Sequence, residues 1–148
     1  MNAYSFFKYL HSGFRYVVVL LVLLAIIQAL TGVMGKKTYT EGNRKLNLFA
    51  MISAHTQLLI GLVLYFLSDL VQFGSQTMKN AQIRYWTVEH LTMMIIALVL
   101  ITIGHSKSKK AVLPQAKHKA ILIFYGIAFV IVLVAIIQSH RPMLGISA

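Results

Sequence analysis

The sequence predicts an all-α fold: an integral membrane four-helix bundle with up-down-up-down connections. Three observations predict it. Four apolar runs recur along 148 residues, each near or above the roughly 20 residues that cross a hydrocarbon core. Hydrophobic residues make up 58% of the chain and charged residues 11%, against roughly 45–50% and 25% in soluble domains, and the mean hydropathy is +0.75. The connections between runs are short, polar and basic, which favours neighbouring antiparallel spans in one transmembrane domain covering residues 1–148.

The first span is expected over about 14–34, on a helix that starts several residues earlier. The preceding segment is too aromatic and polar for a secretory signal and lacks a small-residue cleavage site, so the N-terminus is expected to be retained. Tyr4, Phe6, Phe7 and Tyr9 read as an interfacial aromatic belt. His11, Val18, Val22, Ala25, Ala29 and Gly32 share one helical face that becomes small toward its far end.

The second span is expected over about 46–73, longer than a crossing needs and therefore tilted or projecting. It carries His55 well inside, Gln57 and Gly61 nearby, and Asp69 near its far end. The third span, about 84–105, holds His90 inside one end and His105 at the other. Fifteen residues put the two about 22 Å apart along the axis and about 60° apart around it. Met94, Ala97, Ile101 and Gly104 fall on the same side, where small residues leave room for a flat cofactor or a close neighbour. A loop with five lysines and Pro114 leads to the fourth span, about 120–139.

Charge orients the bundle. Lys36, Lys37, Arg44, Lys45, Lys107, Lys109, Lys110, Lys117 and Lys119 fall on one side, and Lys8, Arg15, Lys79, Arg84 and Arg141 on the other. The positive-inside rule puts the first group in the cytoplasm and both termini outside. The net charge of +11 is thereby read as attraction to anionic lipid rather than nucleic acid, for which the loops carry no base-stacking motif.

Cysteine is absent, which excludes disulfides, thiolate-held metals and iron–sulfur clusters. Histidine is left as the strong intramembrane ligand, and two histidines in hydrocarbon suggest haem ligation first. His11, His90 and His140 sort to the outer side, His55, His105 and His118 to the cytoplasmic side. Helices one and three of a bundle wound in order are diagonal, so His11 with His90 is the first candidate pair. His55 with His105 is the second, although His55 lies several Å deeper by the helical rise; His118 could replace either. Within their local contexts KHK and HRP, His118 and His140 also fit helix-end residues without a ligand role. Arg15 and Arg84 sit where cofactor carboxylates would emerge, or snorkel to the interface; Glu89 beside His90 could pair with either arginine or relay a proton.

LHSGFRY in the first span, HTQLLIGLVLYF in the second, RYWTVEHLTMMIIALVLITIGHSKSKK in the third and KHK at the fourth resemble a family of small bacterial four-helix membrane proteins labelled cytochrome b. The layout is more distantly similar to cytochrome b561-type and copper-resistance D-type proteins. The resemblance implies haem b and membrane electron transfer, with His11, His55, His90 and His105 at the matching positions. The expectation is one or two haems, a quinone pool and a redox partner or larger respiratory complex. Glu89, Tyr85 and Trp86 would line any outer quinone site. Two other classes compete: a structural or assembly subunit without haem, and a porphyrin-acting membrane oxidase, whose deep charged residues the first and third spans lack.

Overall fold

The computed structural model describes residues 2–68, 71–75 and 77–138. Asp69, His140, Arg141 and the end of the fourth expected span at Ser139 lie outside the described residues. Four helices are each long and apolar enough to cross a bilayer: α1 (Ala3–Met34), α2 (Glu41–Leu67), α3 (Ala81–Lys110) and α4 (Pro114–Gln138). They form the all-α up-down bundle that the four apolar runs predict. α1 packs on α2 and α4, and α3 packs on α4 and, less extensively, on α2. The helices therefore run around the bundle in order, with α1 diagonal to α3.

Helix ends follow local chemistry. Asn2 caps α1 by accepting from the Ser5 amide at 2.8 Å. Thr40 and Asn43 form a reciprocal capping box that starts α2 at Glu41. α2 ends at Leu67, where Ser68 turns extended, and residues 71–73 are not helical. The second apolar run is thus shorter as helix than as hydropathy. Gln72 instead donates its amide to Thr87 Oγ1 at 3.0 Å, tying the segment after α2 to α3. α4 begins at Pro114, whose missing amide hydrogen costs nothing in a first helical turn. Lys107, Lys109 and Lys110 therefore belong to the end of α3 and Lys117 and Lys119 to the start of α4, with residues 111–113 as the connection.

The core is small and the outside large. Ala25, Ala29, Ala50, Ala97, Ala128 and Ala135 are buried, while Leu20, Leu59, Phe66, Val130 and Ile137 are among the exposed apolar side chains. This is the opposite of a water-soluble bundle. Where the surroundings are as apolar as leucine, helices gain by close backbone approach at small residues. Gly104 shows how close: a Cβ there would lie 2.5 Å from Phe124 Cβ.

Buried polar groups brace the bundle across its diagonals. The Tyr125 hydroxyl on α4 donates to the Asn47 carbonyl on α2 at 2.7 Å. Asn47 in turn donates from its side chain to the Tyr39 hydroxyl at 2.9 Å. Each such bond matters more where water cannot replace it.

Candidate functional site

At the end of the bundle that holds the start of α1, residues of all four helices line a cavity of about 180 Å³. The inner part is apolar, with Val22, Ala54, Ala97, Ile101, Ala128 and Val132 among its walls. Polar groups gather toward the mouth: Lys8, His11 and Arg15 from α1, Gln57 from α2, Tyr85 and His90 from α3. A greasy slot with a cationic rim suits a flat, largely apolar molecule carrying anionic groups at one edge.

His11 and His90 approach each other within this cavity from diagonal helices. Their ring centres are 6.4 Å apart and their planes lie at 79°. Two imidazoles that each place a nitrogen about 2.0–2.1 Å from a shared metal ion have ring centres about 6 Å apart. By spacing alone, His11 and His90 are the residues that would hold a group between them. Comparison of the chain with protein-family models, curated proteins and solved structures finds no match. The likeness to four-helix cytochromes b thus rests on the quoted sequence stretches.

Each histidine is set by its own neighbours. The Gln57 amide donates to the His11 carbonyl at 2.8 Å and joins α2 to α1 beside the ring. Gly61 faces the ring itself: a Cβ there would lie 3.1 Å from His11 Cε1. Only a residue without a side chain leaves the imidazole this much room.

His90 owes its surroundings to a widened turn. Tyr85–Glu89 is π-helical, and the His90 amide donates to the Tyr85 carbonyl five residues back. In a regular α-helix five residues would leave Tyr85 and His90 about 140° apart around the axis. The i to i+5 closure brings them to the same side. The Tyr85 hydroxyl donates to the Ala135 carbonyl on α4 and lies 3.4 Å from His90 Nδ1. With its hydrogen committed to Ala135, the phenol oxygen can only accept from His90. Trp86 packs on the same ring, centre to centre 5.1 Å. The Tyr65 hydroxyl donates to the Thr87 carbonyl in the widened turn at 2.8 Å.

The other residues singled out in the sequence are placed elsewhere. Arg15 lines the cavity, stacked over Tyr16 at 5.2 Å. Arg84 does not line it; its Nε pairs with Glu89 at 2.8 Å and its Nη1 donates to the Met78 carbonyl. His55 is exposed on α2 and bonds Thr102 Oγ1 on α3 at 3.0 Å. His105 lines a separate cavity at the opposite end, of which His55 is not part. His118 is buried, with Nε2 2.9 Å from the Thr38 carbonyl. Its ring lies against Gly32, where a Cβ would be 2.5 Å away. The structure brings together His11 and His90, and it gives His55, His105 and His118 separate settings.

Among the described residues, no three His, Cys, Asp or Glu side chains gather to hold a metal ion.

Proposed function

We propose that this chain is a membrane electron-transfer protein that holds haem b between His11 and His90. The observation that carries the reading is the 6.4 Å separation of the two rings inside a cavity shared by all four helices. The resemblance of the sequence to four-helix cytochromes b supports it. Haem b, when bound, supplies a one-electron couple whose potential the protein tunes.

The chain's own residues do the rest. Tyr85 orients His90 and fixes its tautomer. Gly61 leaves space for the His11 ring. Arg15 and Lys8 carry positive charge at the mouth, suited to two carboxylates. The alanine- and valine-lined inner part excludes water and insulates the cofactor from the other end of the bundle. One site of this kind makes the chain a one-sided relay between a quinol pool and a redox partner or respiratory complex. In the orientation proposed from loop charge, the site faces the periplasm of a bacterial inner membrane.

The absorption spectrum of the purified chain tests this. Reduced protein is expected to show sharp alpha and beta bands, lost in His11→Ala and in His90→Ala but kept in His55→Ala. Colourless folded protein would point to a structural subunit, and turnover of a porphyrin substrate to an oxidase; either defeats the proposal.

A further inference from the structure

The opposite end of the bundle has a second cavity, between the start of α2 and the facing ends of α3 and α4. Tyr39, Arg44, His105, Lys109 and Lys117 are among its walls. Three are permanent cations, and the cavity has one carboxylate, Glu41. Glu41 is already engaged, since Arg44 donates to it from Nε at 2.9 Å and also from Nη2. The chain has three acidic residues; Glu89 is held by Arg84, and Asp69 lies outside the described residues. Lys109 and Lys117 therefore leave the cavity with an excess of positive charge.

Two further features point to a ligand. His105 Nδ1 is buried, and among the described residues it has no hydrogen-bond partner. A buried polar atom left that way ordinarily meets a water or ligand atom. The cavity also borders the N-terminus of α2, a 27-residue helix capped by Thr40, where helix amides and dipole favour anions. Lys117 spends hydrogens on the carbonyls of Ser108 at 3.0 Å and Lys109 at 3.3 Å. That holds its ammonium at the C-terminal end of α3, facing the cavity.

We infer that this cavity binds a phosphate group, with Lys109 and His105 as direct donors and Lys117 as a fixed positive charge. At the end of membrane-crossing helices, a phosphate comes from an anionic lipid headgroup or from free phosphate. Basic pockets between helices are a known way of holding lipid headgroups. The inference is independent of the haem proposal, because none of these residues lines the His11 cavity.

Native mass spectrometry of the full chain, released from nanodiscs of mixed phosphatidylglycerol and phosphatidylcholine, reads the retained lipid directly. Wild type is expected to keep phosphatidylglycerol in preference to phosphatidylcholine. Lys109→Gln should weaken that retention about fivefold, the scale of one lysine at an anionic surface. His105→Gln provides a second variant at a side chain that carries less charge, and Lys79→Gln, outside the cavity, should change nothing. Repeating the measurement with added inorganic phosphate separates the sources. Displacement of the lipid means that free phosphate competes for the site, and persistence assigns it to the headgroup. Equal retention of both lipids by wild type, or equal losses in Lys79→Gln and Lys109→Gln, would overturn the inference.

Discussion

Replacing Gly32 by alanine should damage the bundle far more than a single methyl group suggests. A Cβ at Gly32 would lie 2.5 Å from His118 Cγ and Nδ1 and 2.6 Å from Cδ2, about 1 Å inside ordinary contact at 3.5–4.0 Å. Cγ is the ring atom nearest the backbone, so a rotation of the ring tip does not relieve the conflict. The ring is 2% exposed and has nowhere to go without breaking its bond to the Thr38 carbonyl at 2.9 Å. Overpacking costs about 1–3 kcal/mol, and leaving a buried hydrogen-bonding group unpaired costs about 1–3 kcal/mol more. The total is about 2–6 kcal/mol, a fall in melting temperature on the order of 10 °C. Thermal unfolding in detergent, followed by circular dichroism, measures it. Removing the ring as well, in Gly32→Ala with His118→Ala, should recover part of the loss, because the two changes share one contact. A Gly32→Ala protein that melts within about 1 °C of wild type would refute the placement of His118 and reopen it as a ligand.

Four other outcomes follow from the same geometry. Gly61→Leu should drive a side chain into the His11 ring and abolish cofactor retention, whereas Gly61→Ala, with its contact at 3.1 Å, should shift the absorption bands but keep them; unchanged spectra in both would refute the contact. Tyr85→Phe removes the oxygen beside His90 Nδ1, so haem should stay bound and its midpoint potential rise by about 60 mV in a redox titration, one electron at about 59 mV for a tenfold change; an unmoved potential counts against the tautomer assignment. Tyr125→Phe loses the bond to the Asn47 carbonyl and should destabilise the fold by about 0.6–1.7 kcal/mol, the range of interhelical bonds in membranes; equal unfolding curves would contradict it. Because the chain has no cysteine, single Lys79→Cys and Lys36→Cys proteins report orientation: an impermeant thiol reagent on intact cells should label the first and spare the second, and the reverse pattern would invert the proposed topology.

The bundle was legible because hydropathy acts on whole segments. Of the face chosen on α1, Val22, Ala25, Ala29 and Gly32 are buried and His11 and Val18 half-buried; on α3, Ala97, Ile101 and Gly104 are buried and Met94 half-buried. Diagonal placement of α1 and α3 follows from short connections, and it brings His11 to His90. The depth mismatch between His55 and His105 was also visible from the helical rise, and the two histidines line no common cavity. What the sequence hid depends on departures from regular helix. The π-helical turn at Tyr85–Glu89 swings Tyr85 beside His90, which a 100° wheel places elsewhere. Its one sequence signal is the run Tyr85, Trp86, Thr87 and Val88, four consecutive residues of modest helix propensity. The match of Gly32 to His118 across α1 and α4 needs tertiary packing, and no periodicity within one helix announces it. Glu89 was readable as a partner for Arg15 or Arg84, and the structure pairs it with Arg84, five residues back along the widened turn.

The haem content per chain of the purified protein, measured as the pyridine haemochrome, tests the central claim most directly. One haem b per chain in wild type, none in His11→Ala or His90→Ala, and one in His105→Ala and His118→Ala is the expected result. Full haem content in His90→Ala, or haem lost only when His55 or His105 is replaced, would contradict it.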